Sequence, residues 1–209
     1  MSKPSLILIG AGGHARACID VIEQNGQFQI AGLVGIPEEM NSEHIDYAVI
    51  ATDNELPKLI KAHQYAIITV GQIQTPEPRI RLYQLATKVG FQFPVIISPT
   101  SHVSPHATIG AGTIVMHGAI VNAGARVGCN CMINTLALVE HDTVVADHCH
   151  ISTGAILNGD VSIGVGSFVG SGSVVKEGVT IGQRSVVGIG LAVRHNLAEY
   201  TRFVGDDKV

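Results

Sequence analysis

The chain has 209 residues, of which 46% are hydrophobic and only 14% are charged, and its formal net charge is −4. It contains no block of basic residues, so nucleic-acid binding is not expected. No apolar run is long enough to span a bilayer, and the N-terminus lacks the layout of a signal peptide, so we expect a cytoplasmic protein. Cys129-x-Cys131 is not a zinc spacing and no second pair follows, so no metal site is expected.

The first 95 residues alternate between short apolar runs, which predict strands, and amphipathic segments, which predict helices. The predicted strands are residues 5–9, Ile30–Val34, Asp46–Ala51 and Ala66–Val70. Three helices are predicted. The first is Ala15–Asn25, which Gly26 ends; the second is Glu55–His63, with Asp53 as its N-cap; and the third is Pro76–Val89. This alternation predicts a small Rossmann-like α/β domain over residues 1–95.

The first strand runs into a glycine-rich turn, Gly10–Ala15, that matches the pattern G-x-G-x-x-A. Such a turn lets the backbone approach a phosphate at a helix N-terminus. The second predicted strand ends in Leu33-Val34-Gly35 without an acidic residue, so a nicotinamide cofactor is not expected. A nucleotide-linked sugar needs only the turn for its diphosphate. The alternative to a phosphate site is a turn that only packs the helix on the strand. His14 could face the phosphate, or it could be a solvated residue of the first helical turn.

From Ile97 to Val193 every sixth residue is aliphatic, and the position four residues later is nearly always small. This hexapeptide period predicts an all-β second domain over residues 96–209, a parallel β-helix with one continuous core. At about 18 residues per three-sided coil, the stretch makes about five coils. The position directly after the aliphatic residue is often Gly or Asn, as at Gly110 and Asn122. We expect these residues to adopt the left-handed backbone of tight corners.

One level of this coil concentrates ionisable groups: Glu140, His141 and Asp142 in succession, and then His148 and His150. Acyl transfer from a thioester needs a base, a group that fixes the tautomer of that base, and donors for the tetrahedral oxyanion. His141 can be the base at neutral pH, with Asp142 or Glu140 holding its other ring nitrogen.

Three further features of this level bear on the chemistry. Backbone amides at Asn158-Gly159 can serve the oxyanion. Cys149 is a candidate nucleophile, but its inward register predicts an inert thiol. His150 precedes an inward position and is therefore expected on an outer face.

Several stretches of the chain resemble the bacterial sugar acetyltransferases of the NeuD/PglD type, which are hexapeptide-repeat transferases. These stretches are Ile7–Ala15, Val70–Arg81 with its Pro-Glu-Pro-Arg run, and Asn134–Ala155, and the similarity covers almost the whole chain. The resemblance implies a left-handed β-helix and a homotrimer that binds acetyl-CoA in the groove between the β-helices of neighbouring subunits. The family acetylates either the 4-amine of a UDP-linked amino-dideoxy sugar or a hydroxyl of a sialic acid.

The resemblance also implies roles for individual residues. His141 matches the general base, and Asp142 matches the acid that orients it. The positions that match substrate-binding residues are Gly12, Gly13, His14, Asn134 and Glu140. The positions assigned to the acetyl-CoA groove are His150, Gly159 and Ser171. The chain departs from the family in two places: Gly35-Ile36-Pro37 replaces the acidic residues after the second strand, and Phe203–Lys208 lacks the usual Pro-Ala.

The sequence therefore favours an acetyl-CoA-dependent N-acetyltransferase acting on a UDP-linked amino sugar in bacterial surface glycan or glycoprotein synthesis, with His141 as base. Two other functions stay open at this point. One is an O-acetyltransferase on a sialic acid or a related nonulosonic acid, with the same base but no UDP. The other is a non-enzymatic β-helix that binds a nucleotide-linked sugar.

Overall fold

The computed structural model describes residues 3–40 and 42–205. The chain forms two compact units. The first unit contains the residues up to Gly71 together with Glu77–Ile96, and the second contains Gln72–Pro76 together with the residues from Ile97 onward. In the described part of the chain, no helix is both long and apolar enough to cross a membrane.

The N-terminal unit is a Rossmann-like α/β domain, as predicted. Its strands are β1 (Ser5–Ile9), β2 (Gln29–Gly35), β3 (Glu43–His44), β4 (Tyr47–Thr52) and β5 (Tyr65–Ile68). Its helices are α1 (Gly13–Asn25), α2 (Leu56–Leu59) and α3 (Glu77–Val89), with 3₁₀ turns at Pro37–Glu39 and Asp53–Glu55. The sheet order is β3-β4-β2-β1-β5, and all pairs are parallel except β3 with β4. The carboxyl ends of β1, β2 and β4 therefore meet at one edge, where ligands bind in folds of this type.

The first helix forms where the apolar period places it. Its buried face, which includes Ala15, Cys18 and Ile22, covers the sheet. Gly26 ends the helix in the left-handed conformation, with φ of 70°, and donates its N–H to the carbonyl of Ile22. The predicted helix is confirmed, and it begins two residues earlier, at Gly13.

The predicted helix Glu55–His63 with Asp53 as N-cap is wrong in its bounds. Asp53 lies in a 3₁₀ turn, Asp53–Glu55, whose N-cap is Thr52, and the backbone N–H of Thr52 donates to Oε2 of Glu55 at 3.0 Å. A capping box needs an acidic residue three positions after the cap. Thr52 has Glu55 there, whereas Asp53 has Leu56. The α-helical part, which follows the 3₁₀ turn, is limited to Leu56–Leu59.

The second unit is a left-handed parallel β-helix, which confirms the predicted fold class. Three sheets form its sides, and the strands in the middle of the coil pair in parallel with the strands 18 residues before and after them, as Val121 does with Val103 and Val139. The six-residue series of aliphatic side chains fills the interior. The strands are β6 (Ile96–Ile97), β7 (His102–Val103), β8 (Thr108–Ile109), β9 (Ile114–Val115), β10 (Ile120–Val121), β11 (Arg126–Val127), β12 (Met132–Ile133), β13 (Leu138–Val139), β14 (Val144–Val145), β15 (His150–Ile151), β16 (Ile156–Leu157), β17 (Ser162–Ile163), β18 (Phe168–Val169), β19 (Val174–Val175), β20 (Thr180–Ile181), β21 (Val186–Val187), β22 (Ala192–Val193) and β23 (Arg202–Phe203).

The prediction for the corners is wrong by two positions. The left-handed backbone recurs at every sixth residue from Gly112 to Gly190, three positions after the aliphatic residue rather than one. The glycines directly after the aliphatic residues instead allow the backbones of successive coils to approach closely. A Cβ atom added at Gly110 would lie 2.5 Å from the backbone carbon of Gly128 in the next coil. The predicted departure at the C-terminus lies partly outside the described residues, which end at Gly205.

Candidate active site and family

His141 is the exposed middle residue of the corner between β13 and β14. Its Nδ1 lies 2.9 Å from Oδ2 of Asp142, so Nδ1–H donates to the carboxylate. This hydrogen bond is the main cause that raises the pKa of His141 above its ordinary value, and the negative charges of Asp142 and Glu140 add to it. With the proton on Nδ1, the neutral ring presents Nε2 as a base, and Nε2 forms no hydrogen bond with any described residue.

Glu140 contacts the backbone of this corner and not the ring. Its Oε2 accepts hydrogen bonds from Nδ2 of Asn122, at 2.9 Å, and from the backbone N–H of His141, at 3.1 Å. Of the two acids that the sequence left open, Asp142 is therefore the one that holds the imidazole. Glu140 fixes the backbone that carries it.

Gly159 lies one coil after His141, and the imidazole ring covers it. A Cβ atom added at Gly159 would lie 2.7 Å from Cε1 and Nε2 of His141. The backbone N–H of Gly159 has no partner among the described residues. Only glycine leaves room for the ring in this position.

A large cleft continues along the same corner towards the C-terminus. It has a volume of about 540 Å³ and is lined by Asn158, Val174, Lys176, Glu177, Ala192, Val193, Arg194 and His195. Arg194 forms no hydrogen bond or ion pair with the described residues, and Lys176 has only a long, exposed contact of 3.9 Å with Glu177. The cleft therefore offers two cations and an apolar floor, and sequence reasoning missed it. The signal was present, since Lys176 and Arg194 are 18 residues apart and so lie one above the other.

The other predicted coil residues occupy a different side of the coil. His150 is the outward residue of β15, but it is only 7% exposed. Its Nε2 lies 3.1 Å from Nδ2 of Asn134, so these two predicted residues contact each other. The Oγ of Ser171 lies 2.9 Å from that of Ser152. His150 and Ser171 line one cleft of about 310 Å³.

In the N-terminal unit the glycine-rich turn borders a pocket of about 260 Å³. Gly12 is the N-cap of α1 and has no side chain to satisfy the first amides, and no atom lies within 4 Å of a Cβ added at Gly12 or Gly13. His14 is half-buried, with Nε2 3.3 Å from Sγ of Cys18. Burial raises the pKa of the Cys18 thiol to about 12, so it stays protonated at neutral pH.

Sequence reasoning also missed the acids of this pocket. Glu39, in the 3₁₀ turn after β2, folds back so that Oε2 accepts the N–H of Ile36 at 3.0 Å and lies against Gly35. Asp53, after β4, lines the same pocket and pairs with Arg81 at 3.0 Å. β2 itself ends without an acid, as the sequence indicates, and Glu39 reaches the pocket from four residues further along the chain. The signal was Pro37 at the start of a short helical turn, which reverses the chain.

Comparisons with known proteins bear on this geometry. A sequence model described as the PglD N-terminal domain matches residues 5–84. The structure resembles the H141N mutant of perosamine N-acetyltransferase from Caulobacter crescentus in complex with CoA and GDP-perosamine, with 31% identity, a TM-score of 0.89 and coverage of 95% of this chain and 92% of that one. It also resembles the acetyltransferase domain of PglB from Neisseria gonorrhoeae in complex with acetyl coenzyme A, with 30% identity, a TM-score of 0.87 and coverage of 95% of both chains.

The chain belongs to the PglD-type sugar acetyltransferases. This confirms the predicted family and the prediction of an acetyltransferase. WeeI from Acinetobacter baumannii, at 20% identity, shares the fold over 93% of this PglD-type chain with a TM-score of 0.80. No match was found among curated protein sequences. In the described part of this sugar acetyltransferase, no group of three His, Cys, Asp or Glu side chains could hold a metal ion.

Proposed function

We propose that this enzyme transfers the acetyl group of acetyl-CoA to the amine of a nucleotide-linked amino sugar, with His141 as general base. The observation that carries the proposal is the His141–Asp142 pair, whose imidazole covers Gly159, a residue with a backbone N–H that has no partner among the described residues. The comparisons support it, because the Caulobacter relative is a perosamine N-acetyltransferase studied with CoA and GDP-perosamine. Two structures of that relative carry a histidine-to-Asn or histidine-to-Ala replacement at a position also numbered 141.

The proposed reaction is direct acyl transfer without a covalent enzyme intermediate. The amine nitrogen of the sugar attacks the thioester carbonyl, and Nε2 of His141 accepts a proton from that nitrogen as the C–N bond forms. Asp142 holds Nδ1–H and stabilises the imidazolium. The N–H of Gly159 donates to the oxyanion of the tetrahedral intermediate. The C–S bond then breaks, and the CoA thiolate takes the proton back from His141.

The pocket of the N-terminal unit is proposed to hold the nucleotide, which assigns residues 1–95 to the sugar nucleotide and residues 96–209 to acyl transfer. Gly12, Gly13 and the first amides of α1 suit the diphosphate. Glu39 and Asp53 supply acceptors for the hydroxyls of a ribose or for the N–H groups of a base. A carboxylate pairs with the two adjacent N–H donors of guanine better than with uracil, whose single N–H is flanked by carbonyls. The two carboxylates therefore favour GDP, and UDP, the nucleotide expected from the sequence, is the other candidate.

The acyl donor is proposed to extend from His141 along the cationic cleft. Coils stack at the spacing of strands in a sheet, about 4.8 Å, so the corner at His195, three coils beyond His141, is about 14 Å away. The arm between the thioester and the diphosphate of CoA spans about 15 Å when extended. The diphosphate would therefore reach Lys176 and Arg194, which are the cations of this cleft.

The active form is proposed to be a homotrimer in the cytoplasm, where acetyl-CoA and sugar nucleotides are made. His141 and Gly159 lie on one corner of the coil, whereas His150 and Ser171 line a cleft on another side. A groove between two copies would bring the corner of one against the cleft of the next. Asn134 would then act through His150, which it contacts, and not by touching the acceptor sugar.

The experiment that tests this function is mass spectrometry of the products from acetyl-CoA and a panel of acceptors. The panel contains GDP- and UDP-linked 4-amino sugars, the matching 4-hydroxy sugars and a free sialic acid. We expect one added acetyl group on an amino sugar nucleotide only. Acetylation of the sialic acid alone would support the O-acetyltransferase alternative, although a nucleotide pocket would then have no use. Release of no CoA with any acceptor would exclude an acetyltransferase acting on these sugar classes.

A further inference from the structure

The glycine-rich turn begins at Gly10, directly after β1, where the backbone leaves the strand conformation with φ of 122°. The N–H of Gly10 still donates to the carbonyl of Val34 in β2, at 2.8 Å, as in a continuing strand. Its carbonyl instead accepts a hydrogen bond from Oγ1 of Thr69, at 2.6 Å, on the side of β5. Only glycine fits here, because a positive φ strains other residues and an added Cβ would lie 2.6 Å from Cγ2 of Val70.

The direction of this carbonyl also sets the direction of the next backbone donor. The peptide bond between Gly10 and Ala11 is trans, so its N–H points away from the carbonyl that Thr69 holds. This N–H belongs to Ala11, which is 3% exposed and lines the pocket of 260 Å³. It forms no hydrogen bond with any described residue. Because a buried N–H rarely stays without an acceptor, this donor suits an atom that is bound in the pocket.

Thr69 is itself held in place by backbone contacts on both sides. It is fully buried, and its N–H donates to the last carbonyl of β1 at 2.8 Å. The carbonyls of its two neighbours, Ile68 and Val70, accept hydrogen bonds from Nη1 of Arg79, at 2.9 and 2.7 Å. Arg79 is only 1% exposed, so water does not compete for these bonds. The hydroxyl of Thr69 therefore approaches Gly10 from a fixed backbone, and neither Thr69 nor Arg79 is among the residues that line the pocket.

We propose that Thr69 is a positioning residue for the sugar nucleotide: through the carbonyl of Gly10, it aims the N–H of Ala11 at the diphosphate. This role rests on the proposed function, in which the pocket of the N-terminal unit holds the nucleotide. The hydrogen bond at the carbonyl also polarises the peptide group, which strengthens its N–H as a donor to a negatively charged oxygen. Thr69 acts in this way without touching the ligand, because it is fully buried behind the turn.

Two substitutions separate the hydroxyl of Thr69 from the shape of the side chain. T69V keeps the approximate volume but leaves the carbonyl of Gly10 without its donor, whereas T69S keeps the donor. The matched control is T87V, because Thr87 also donates from Oγ1 to a backbone carbonyl, at 2.7 Å, on the exposed surface of α3. Isothermal titration of the full-length protein with GDP and with UDP measures binding. We expect Kd for the preferred diphosphate to rise about tenfold in T69V and to stay close to the wild-type value in T69S and T87V.

The choice of ligand distinguishes this role from a merely structural one. The nucleoside that corresponds to the preferred diphosphate lacks phosphates, so its Kd should be equal in T69V and in the wild type, which also shows that the pocket is folded. Equal diphosphate affinities in T69V and the wild type, or an equal loss for diphosphate and nucleoside, would overturn the proposal. A wild type that bound neither GDP nor UDP would overturn it together with the proposed nucleotide site. If the wild type bound the diphosphate but transferred no acetyl group, the proposed reaction alone would fail, and the titrations would still decide the role of Thr69.

A measurement on the wild type guards against a T69V variant that does not fold. Labelling with ¹⁵N-alanine makes the amide of Ala11 visible by NMR, and its cross-peak is assigned as the one that is absent in A11G. We expect this cross-peak to move downfield when GDP or UDP is added, as for an N–H that donates to a phosphate oxygen, and to move less with the nucleoside. An Ala11 cross-peak that stays in place, or that moves equally with nucleoside and diphosphate, would contradict the proposal.

Discussion

Nδ1 of His141 lies 2.9 Å from Oδ2 of Asp142, although the two residues are adjacent in the chain. Adjacent side chains usually point apart. Here Asp142 occupies the left-handed corner position, with φ of 59°, which elsewhere in the coil is mostly glycine. This backbone turns the carboxylate back towards the preceding ring. The same corner geometry that closes each coil thus assembles a base with its orienting acid.

The pH dependence of the reaction should report this pair. The hydrogen bond to Asp142 raises the pKa of His141, and the base works only when it is neutral, so activity falls as pH drops through this raised pKa. In D142N the pKa of His141 returns towards its ordinary value. The acid limb of the kcat/KM profile should therefore move to lower pH, while the maximal rate falls about ten- to hundredfold. An acid limb that stays in place would show that Asp142 does not set the pKa of the base.

The absence of a side chain at Gly159, which leaves space for the ring of His141, should be required for catalysis and not for folding. In G159A the added Cβ overlaps Cε1 and Nε2 of His141, and because His141 is exposed, its ring moves away instead of the coil. We expect kcat to fall at least about tenfold for a misplaced base, with the thermal unfolding midpoint near that of the wild type. A steady-state assay and a thermal melt on the same sample measure both. Full activity in G159A would mean that the ring position beside Gly159 is not the reactive one.

Glu39 should determine how tightly the nucleotide binds. E39Q keeps an acceptor for the N–H of Ile36 but removes the charge that faces the pocket. We expect Kd for the preferred nucleoside diphosphate to rise about tenfold, as for the loss of a charge-assisted hydrogen bond. Isothermal titration with GDP and with UDP measures the effect and identifies the base. The control is E38Q, at the exposed neighbouring residue, which should bind like the wild type. Equal affinities in all three proteins would place the nucleoside elsewhere.

The stability of the coil should depend on its interior series of aliphatic residues. Ile151 is fully buried and stacks between Ile133 and Val169. I151A should lower the free energy of unfolding by about 2–5 kcal/mol, because the stacked coils cannot collapse into the cavity. The matched substitution I120A, at a residue that is 39% exposed, should cost about 1 kcal/mol or less. Denaturant unfolding at one protein concentration compares the two variants, and equal losses would contradict the assigned register.

The six-residue period was enough to predict the β-helix. Each side of a coil places one aliphatic side chain in the interior, so the aliphatic residues recur at every sixth position of the sequence. The period was not enough to place the left-handed corners. Those depend on how the backbone closes between two short strands, and Leu136, Asp142 and Arg184 adopt this conformation as well as the glycines of the series. Glycines such as Gly110 are instead required because the backbone of the next coil leaves no room for a Cβ atom, and no local sequence pattern predicts that contact.

The chemistry of the site was predictable where it lies close together in the chain, as for His141 and Asp142. Glu39 was missed because it reaches the pocket only after the chain reverses at Pro37. The environment of His150 was also missed. Its outward register was predicted correctly, but its burial depends on the segment around Gln72, which comes 78 positions earlier in the chain.

The most direct test of the central claim is the rate of acetyl transfer in H141N, measured as CoA release with saturating acetyl-CoA and the amino sugar nucleotide that the product analysis identifies. Asparagine keeps the approximate size of the ring but cannot accept the proton, so we expect kcat to fall about 10²- to 10⁴-fold. KM for acetyl-CoA should change little, and H106N, at an exposed histidine two coils earlier, should match the wild type. A rate in H141N within a few fold of the wild type would contradict the assignment of His141 as the base.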